Sequence, residues 1–404
     1  MPETIFKRTI TDNIIPYLVS REAVVLHGAR QVGKTSLMYF LRDILKTQHR
    51  STHFLDLEDS RFVRILDAGV EAFFTYLREE NLMPTQGEKL FLFIDEIQYL
   101  QNPSEFLKLV VDHHPELKLI VSGSSSFDIK SKFKDSLVGR TVNFEIFNLS
   151  FQEFLVFRGV VAPLSLPLTL KKQEELLALY TEYVLYGGYP KIVLTEEIAK
   201  KETYLQQIID TYVRKDIRDI GAIKNIEKFN LLLLALSAQS GQLMNVSELA
   251  NTLGLAKQTI EEYLFLLEQT YIVRRVRPFY RNIRSELSKT PKLFFYDTGL
   301  LHMLWLKQLP KEIIGQAFET SVFAELTKKY GKDSIRYWRT IQGQEIDFIL
   351  QPGVVPRPFE VKLNFSQAGM AVGEKFSKKY QSAPVRVVGL RGEKIVAGIY
   401  PWEI

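Results

Sequence analysis

Cysteine is absent from the 404 residues, which excludes disulfide bonds and any zinc site built on thiolates. Histidine is scarce, with six residues. The adjacent pair His113 and His114 reads as surface, and no histidine spacing resembles a metal ligand set. Long hydrophobic runs are also missing. The longest, "LLLLAL" at Leu231 to Leu236, is a buried helix turn, far short of what spans a bilayer. "MPETIFKRTITDN" at the start has no apolar h-region, so a cytoplasmic chain with no membrane partner is expected. Charge is nearly balanced: 52 basic against 47 acidic residues leave +5, which permits a polyanionic partner without demanding one. What is present is globular in kind, 46% hydrophobic and 25% charged, and the length calls for two to four domains.

"AVVLHGARQVGKTSLMYFL" is an apolar strand, a glycine-rich turn and an amphipathic helix. The turn fits G-x-x-x-x-G-K-[ST] over Gly28, Ala29, Arg30, Gln31, Val32, Gly33, Lys34 and Thr35, with Ser36 following. Glycine lets the backbone fold around an anion, and successive N–H groups with the helix N-terminus point at phosphate oxygens. Lys34 is expected to reach the β- and γ-phosphates of ATP, and Thr35 to ligate Mg²⁺.

A second apolar strand, "KLFLFIDEIQYL", ends in Asp95 and Glu96. Acids at the end of a buried strand are costly without a task. Beside a P-loop, Asp95 would hold Mg²⁺ and Glu96 would polarise the attacking water, with Gln98 assisting; otherwise Asp95 caps the following loop. "LKLIVSGSSS" ends in small polar residues suited to sensing the γ-phosphate, Ser124 first and Ser122 second. Arg140 after Gly139 is either an arginine finger or a surface partner for a nearby acid. Asp56 in "FLDLED" reads as structural. Alternation of strand and helix from about residue 20 to 150 implies an α/β fold with a mostly parallel, doubly wound sheet.

"GARQVGKT", "FLFIDEIQ", "VSGSSS", "SLVGR" and "LSFQEFL", in that order, resemble the AAA-type prokaryotic ATPases that carry a C-terminal domain of unknown function. "YVLYGGYPKIVL" and "YVRKDIRDI" are similar to that family's next segment. The resemblance spans nearly the whole chain. It implies ATP hydrolysis, with Lys34, Thr35, Asp95 and Glu96 carried over.

Residues near 155 to 235 read as helical, a lid over the nucleotide, with Gly187, Gly188 and Pro190 at a turn. The run Arg214, Lys215 and Arg218 either faces phosphate or is a solvated helix face. "MNVSELANTLGLAKQTIEEYLFLLEQTYIVRRVRP" then gives helix, turn, helix and β-prone stretch, the winged-helix order, with Ser247 as N-cap and Gly254 at the turn. Its second helix offers Lys257, Gln258 and Thr259, but also Glu261, Glu262 and Glu268, which repel phosphates. DNA contact is therefore expected through Arg274, Arg275 and Arg277, with Arg281 and Arg284 nearby. The competing reading is a winged helix that docks protein.

Near the end, "GQEIDFIL" and "FEVKL" alternate by twos: Glu345 and Asp347 share one face, Glu360 and Lys362 another. This is either an ordinary half-wet hairpin or a metal centre, since an acid followed by acid-x-Lys gathers two carboxylates and an ammonium. The order of Glu319 on a helix, Asp347 on a strand and "EVK" on the next is similar to restriction-endonuclease-like folds of the PD-(D/E)XK type. That resemblance implies Asp347 and Glu360 as metal ligands, Lys362 positioning water and Glu319 in support. Glu345 is an extra ligand or a salt-bridge partner for Arg339.

The expected domains are a P-loop core over 1–155, a helical lid over 156–235, a winged helix over 236–290 and a nuclease-like domain over 291–404. The leading expectation is an ATPase that moves a winged helix and nuclease-like domain on DNA, in a chain able to form homo-oligomers. The alternatives are an ATP-driven switch or assembly protein whose C-terminal domain docks proteins without catalysis, and a transcription regulator.

Overall fold

A computed structural model describes residues 5–123, 137–161, 168–211, 223, 225–279, 290–351 and 353–404. The chain divides into two compact units, 1–147 and 148–404.

In the first unit, strands β1 (Ala23–His27), β2 (Ser51–Asp56), β3 (Leu90–Asp95), β4 (Leu117–Gly123) and β5 (Thr141–Glu145) form one sheet in the order β2-β3-β4-β1-β5. Every pairing in it is parallel. Strands β1, β3 and β4 are buried along their whole length, as expected where helices cover both faces. That is why they read as unbroken apolar runs. The core joins Val25, Leu92, Ile94 and Val121 to Phe73, Leu77, Phe106 and Leu107 from the flanking helices. Because the sheet is parallel, its strands end together. The turn after β1 and the acids after β3 therefore meet at one edge, where ligands bind in such sheets.

In the second unit, the helix α1 (Phe151–Phe157) opens with a capping box between Ser150 and Glu153. By its contacts this helix falls in the second unit. Phe151 N–H donates to Glu325 at 3.0 Å, and its ring lies against Tyr180, 4.8 Å between centroids. Helix α2 (Val246–Leu253), a left-handed Gly254 and helix α3 (Lys257–Gln269) are followed by an antiparallel ribbon of β6 (Val273–Val276) and β7 (Lys292–Phe295). The order matches expectation, but the cap does not. Asn245, not Ser247, is the cap and accepts from the N–H groups of Ser247 and Glu248, because the helix starts two residues earlier.

The second sheet has the order β12-β11-β10-β9-β8, with β8 (Ile335–Arg339), β9 (Glu345–Leu350), β10 (Arg357–Asn364), β11 (Arg386–Arg391) and β12 (Gly398–Ile399). Strands β8 to β10 run antiparallel, and β10 to β12 parallel. Helix α4 (Gly315–Tyr330) packs across β10 and β7. The stretch after β6 continues along the edge of β8: Phe279 N–H donates to Tyr337 at 2.6 Å, and Tyr337 N–H to Arg277 at 3.2 Å. Ribbon and sheet are thus joined through backbone.

Candidate functional site

The glycine-rich turn closes on itself around Lys34. The Lys34 ammonium, 5% exposed, donates to the carbonyls of Gly28 at 3.1 Å and Ala29 at 2.8 Å. Burial pushes its pKa below the ordinary lysine value, against the pull of Glu96 and Asp95. Gly33 sits at φ 93°, a conformation glycine adopts without strain. Gly28 is held for a different reason: a Cβ there would lie 2.0 Å from the Ile146 carbonyl oxygen. Arg8, which sequence reasoning passed over, donates to the Val32 and Phe147 carbonyls, each at 2.8 Å, and so ties the turn to the end of β5. Its signal is tertiary; nothing in "FKRT" distinguishes it.

Thr35 Oγ1 donates to Asp95 Oδ2 at 2.6 Å. Ser122 Oγ donates to the other Asp95 oxygen and accepts from Glu96 N–H at 3.2 Å. Asp95 is 3% exposed, so this chain of bonds fixes both its oxygens. Ser122 therefore steadies Asp95 rather than facing phosphate, while Ser124 lies outside the described residues. Glu96 adopts a left-handed backbone, φ 55° and ψ 50°, and its carboxylate accepts from the Gln98 amide. A non-glycine residue held there is a local cost that surrounding structure must offset. Asp56 caps its own loop, accepting from Glu58 N–H at 2.9 Å.

Arg140 requires a correction. It precedes β5, whose Thr141 is in register with Ala23, the first residue of β1. It therefore lies at the amino edge of the parallel sheet, about five residues, or roughly 16 Å, from the turn after His27. There its Nε donates to Asp112 at 2.7 Å. A finger reaching the phosphates of its own chain is excluded by strand direction.

The acids of the second unit do come together. Glu319 from α4, Glu345 and Asp347 from β9, and Glu360 and Lys362 from β10 surround one point, joined by Lys292 from β7. The Lys292 ammonium, 4% exposed, stands 3.2 Å from Glu319, 2.5 Å from Glu345 and 3.9 Å from Asp347. Lys362 is 2.5 Å from Glu360 and 3.6 Å from Asp347. Asp347 Oδ2 also accepts from Val361 N–H at 2.7 Å, and Arg339 holds Glu345 at 2.8 Å. Among the described residues no three histidine or acid side chains form a group that could hold a metal ion. The expected metal set of Asp347, Glu360 and Glu319 does not fit the ion in this arrangement, because the Lys292 ammonium stands beside Glu319 and Asp347.

Burial raises the pKa of Glu319 and of Glu360 to about 7, with the Asp347 charge adding to both and the lysines opposing. In the folded unit these groups retain protons that the unfolded chain, near the ordinary 4.5, releases. Stability is thus present at low pH and lost as pH rises from about 4.5 toward 7. Denaturant midpoints of the second unit should fall across that window, and Glu360→Gln should flatten the slope. A midpoint that rises instead contradicts the proton count.

The ribbon arginines are mostly committed. Arg275 pairs with Glu261 at 2.6 Å and Glu268 at 2.7 Å, and Arg274 with Asp333 at 2.5 Å. Contact with DNA phosphates through those two would have to displace carboxylates of the same chain. Arg277 is exposed. Arg214, Lys215, Arg218, Arg281 and Arg284 lie outside the described residues. No helix among the described residues is long and apolar enough to cross a membrane.

A parallel sheet of this order, with a glycine-rich turn after β1 and an acid at the end of β3, defines a P-loop NTPase fold, here with an additional C-terminal α/β domain. Residues 20–155 match the AAA domain family, residues 177–312 a domain of unknown function (DUF8612) and residues 314–398 another (DUF4143). An uncharacterized protein of Haemophilus influenzae is 30% identical over 337 residues, covering 80% of this chain and 78% of its own. One of Methanocaldococcus jannaschii is 26% identical over 352 residues, covering 85% and 75%. The chain belongs to the family of the Haemophilus protein, and its first unit carries the AAA-type P-loop domain. Among solved structures, AMPPCP-bound DnaA from Aquifex aeolicus shares 16% identity over 64% of this chain and 86% of that one, at a TM-score of 0.30, too loose a likeness to argue from.

Proposed function

We propose that the protein binds ATP with Mg²⁺, hydrolyses it, and uses its nucleotide state as a switch, with a C-terminal domain that does not cut DNA. The observation that carries the ATPase part is the bond from Thr35 to Asp95, at 2.6 Å, beside a buried Lys34. Two hard oxygen donors meet where a magnesium ion bound to phosphate needs them, so these residues fit the ion. Mg²⁺ held there would neutralise charge developing on the β- and γ-phosphate oxygens. Main-chain N–H groups from Gly28 to Ser36 cradle the phosphates, and Lys34 turns from the Gly28 and Ala29 carbonyls to the β- and γ-oxygens. Glu96 orients the attacking water, and Gln98 holds Glu96 until then. Binding shifts the chain between states only insofar as ATP contacts them differently. A finger role for Arg140 is left to a neighbouring copy in a homo-oligomer.

The non-nuclease part is supported by Lys292 inside the acid cluster. Action on DNA has a narrower basis, the exposed Arg277 and the +5 charge. The deciding experiment incubates the full chain with plasmid and single-stranded DNA, omitting metal and ATP in turn. Phosphate release that needs ATP and Mg²⁺, with DNA left intact, is expected. Cleavage lost in Asp347→Ala but kept in Lys34→Ala would overturn the non-nuclease reading.

A further inference from the structure

Lys292 enters the acid cluster from a different element than any of the acids. It sits in the β6–β7 ribbon, opposite Val276, and its strand is pinned on the other side by Gly241 N–H to Leu293 at 2.6 Å and Met244 N–H to Pro291 at 2.8 Å. With its strand held on both sides, the side chain is directed inward. Its ammonium is then placed among Glu319, Glu345 and Asp347, while Lys362 serves Glu360 and the other oxygen of Asp347. Oxygens that would converge on a divalent ion at about 2.0–2.6 Å are instead arranged around nitrogens at ammonium distances.

We propose that Lys292 is a built-in cation: it takes the place of a divalent ion in the cluster, closes it to metal, and clamps the ribbon onto the C-terminal sheet. A divalent ion within about 4 Å of the Lys292 ammonium is repelled by it, in a site with little water to screen the two charges. The clamp adds side-chain ion pairs to the backbone bonds between Arg277–Phe279 and Tyr337. The ribbon is thereby fixed to the sheet by charge as well as by strand pairing. This inference rests on the non-nuclease reading of the domain and gives its chemical cause.

The test is a Mn²⁺ titration of the full chain without nucleotide, read as loss of the free-ion EPR signal. Asp95→Asn is present throughout to remove the P-loop carboxylate, and Asp347→Asn is added to locate any site. With Lys292 intact, no Asp347-dependent binding is expected up to about 1 mM Mn²⁺, the range of weak carboxylate sites. Lys292→Met should gain one Asp347-dependent site, at least about tenfold tighter, while Lys292→Arg should not. An Asp347-dependent site with Lys292 intact overturns the inference, as does a folded Lys292→Met that binds no more Mn²⁺. If Lys292→Met does not fold by circular dichroism, the arm with Lys292 intact decides alone. Metal bound without DNA cleavage sinks only the built-in cation, whereas cleavage sinks the reading beneath it.

Discussion

Lys34→Ala is expected to keep the fold of the first unit and to lose ATP turnover by about 10²- to 10³-fold, the usual cost of removing one preorganised charge from a transition state. In the structure the ammonium is already desolvated and, among the described residues, bonded to the carbonyls of its own loop, at 3.1 and 2.8 Å. Phosphate oxygens are stronger acceptors than those carbonyls, and charge accumulates on them as the γ-phosphoryl group leaves. Alanine removes the charge without crowding the turn. Far-ultraviolet circular dichroism should be unchanged, and steady-state phosphate release should collapse. Turnover near that of the parent chain would remove the P-loop from the chemistry.

Asp297→Ala should be the most damaging single change in the second unit, by about 3–5 kcal/mol, because buried donors left without acceptors cost roughly 1–3 kcal/mol each. Asp297 is 4% exposed and caps the helix Thr298–Leu306 through Leu300 N–H at 2.9 Å. It also accepts from Gly188 N–H at 2.8 Å and from the Asn148 amide at 2.5 Å. Burial raises its own pKa, so alanine relieves part of one cost, which keeps the figure below the sum of three orphaned donors. The loss corresponds to a fall of about 10 °C in the melting temperature of a unit this size. Scanning calorimetry should show it in the second unit's transition, with the first unit's unmoved. A shift of a degree or two would mean that water replaces the carboxylate and that the knot is not structural.

That knot also accounts for "YGGYP". A Cβ on Gly187 would fall 2.3 Å from Asp297 Oδ1, and one on Gly299 would fall 2.1 Å from the Tyr186 carbonyl. The two glycine-bearing motifs are bare where they press together. In the sequence Gly187 and Gly188 read only as a turn, since nothing local says that the two motifs meet.

The same limit divides the candidate sites. The glycine-rich turn could be read from sequence because a strand, a turn and a helix supply its whole geometry within one short stretch. Asp95 was legible because an acid ending an apolar strand contradicts its surroundings. The acid pairs of β9 and β10 were legible by their period of two. Lys292 was not: "PKLFF" looks like any strand opening, and the lysine's meaning lies in acids on another helix and two other strands. The pairing of Arg275 was not legible, because Glu261 and Glu268 were visible only as repulsive charges on a separate helix. Arg140 stayed open between finger and surface partner because composition carries no strand direction.

By itself the sequence determined the P-loop, the buried parallel strands around it and the periodic placement of acids near the end, all properties fixed by neighbours a few residues apart. The tertiary structure alone decided which charges cancel: Lys292 inside the acid cluster, Arg275 against its helix, and Arg140 at the far edge of the sheet. The physical reason is range. Backbone geometry and hydrophobic period act along the chain, whereas an ion pair acts across a few ångströms of space, whatever the sequence distance between its members.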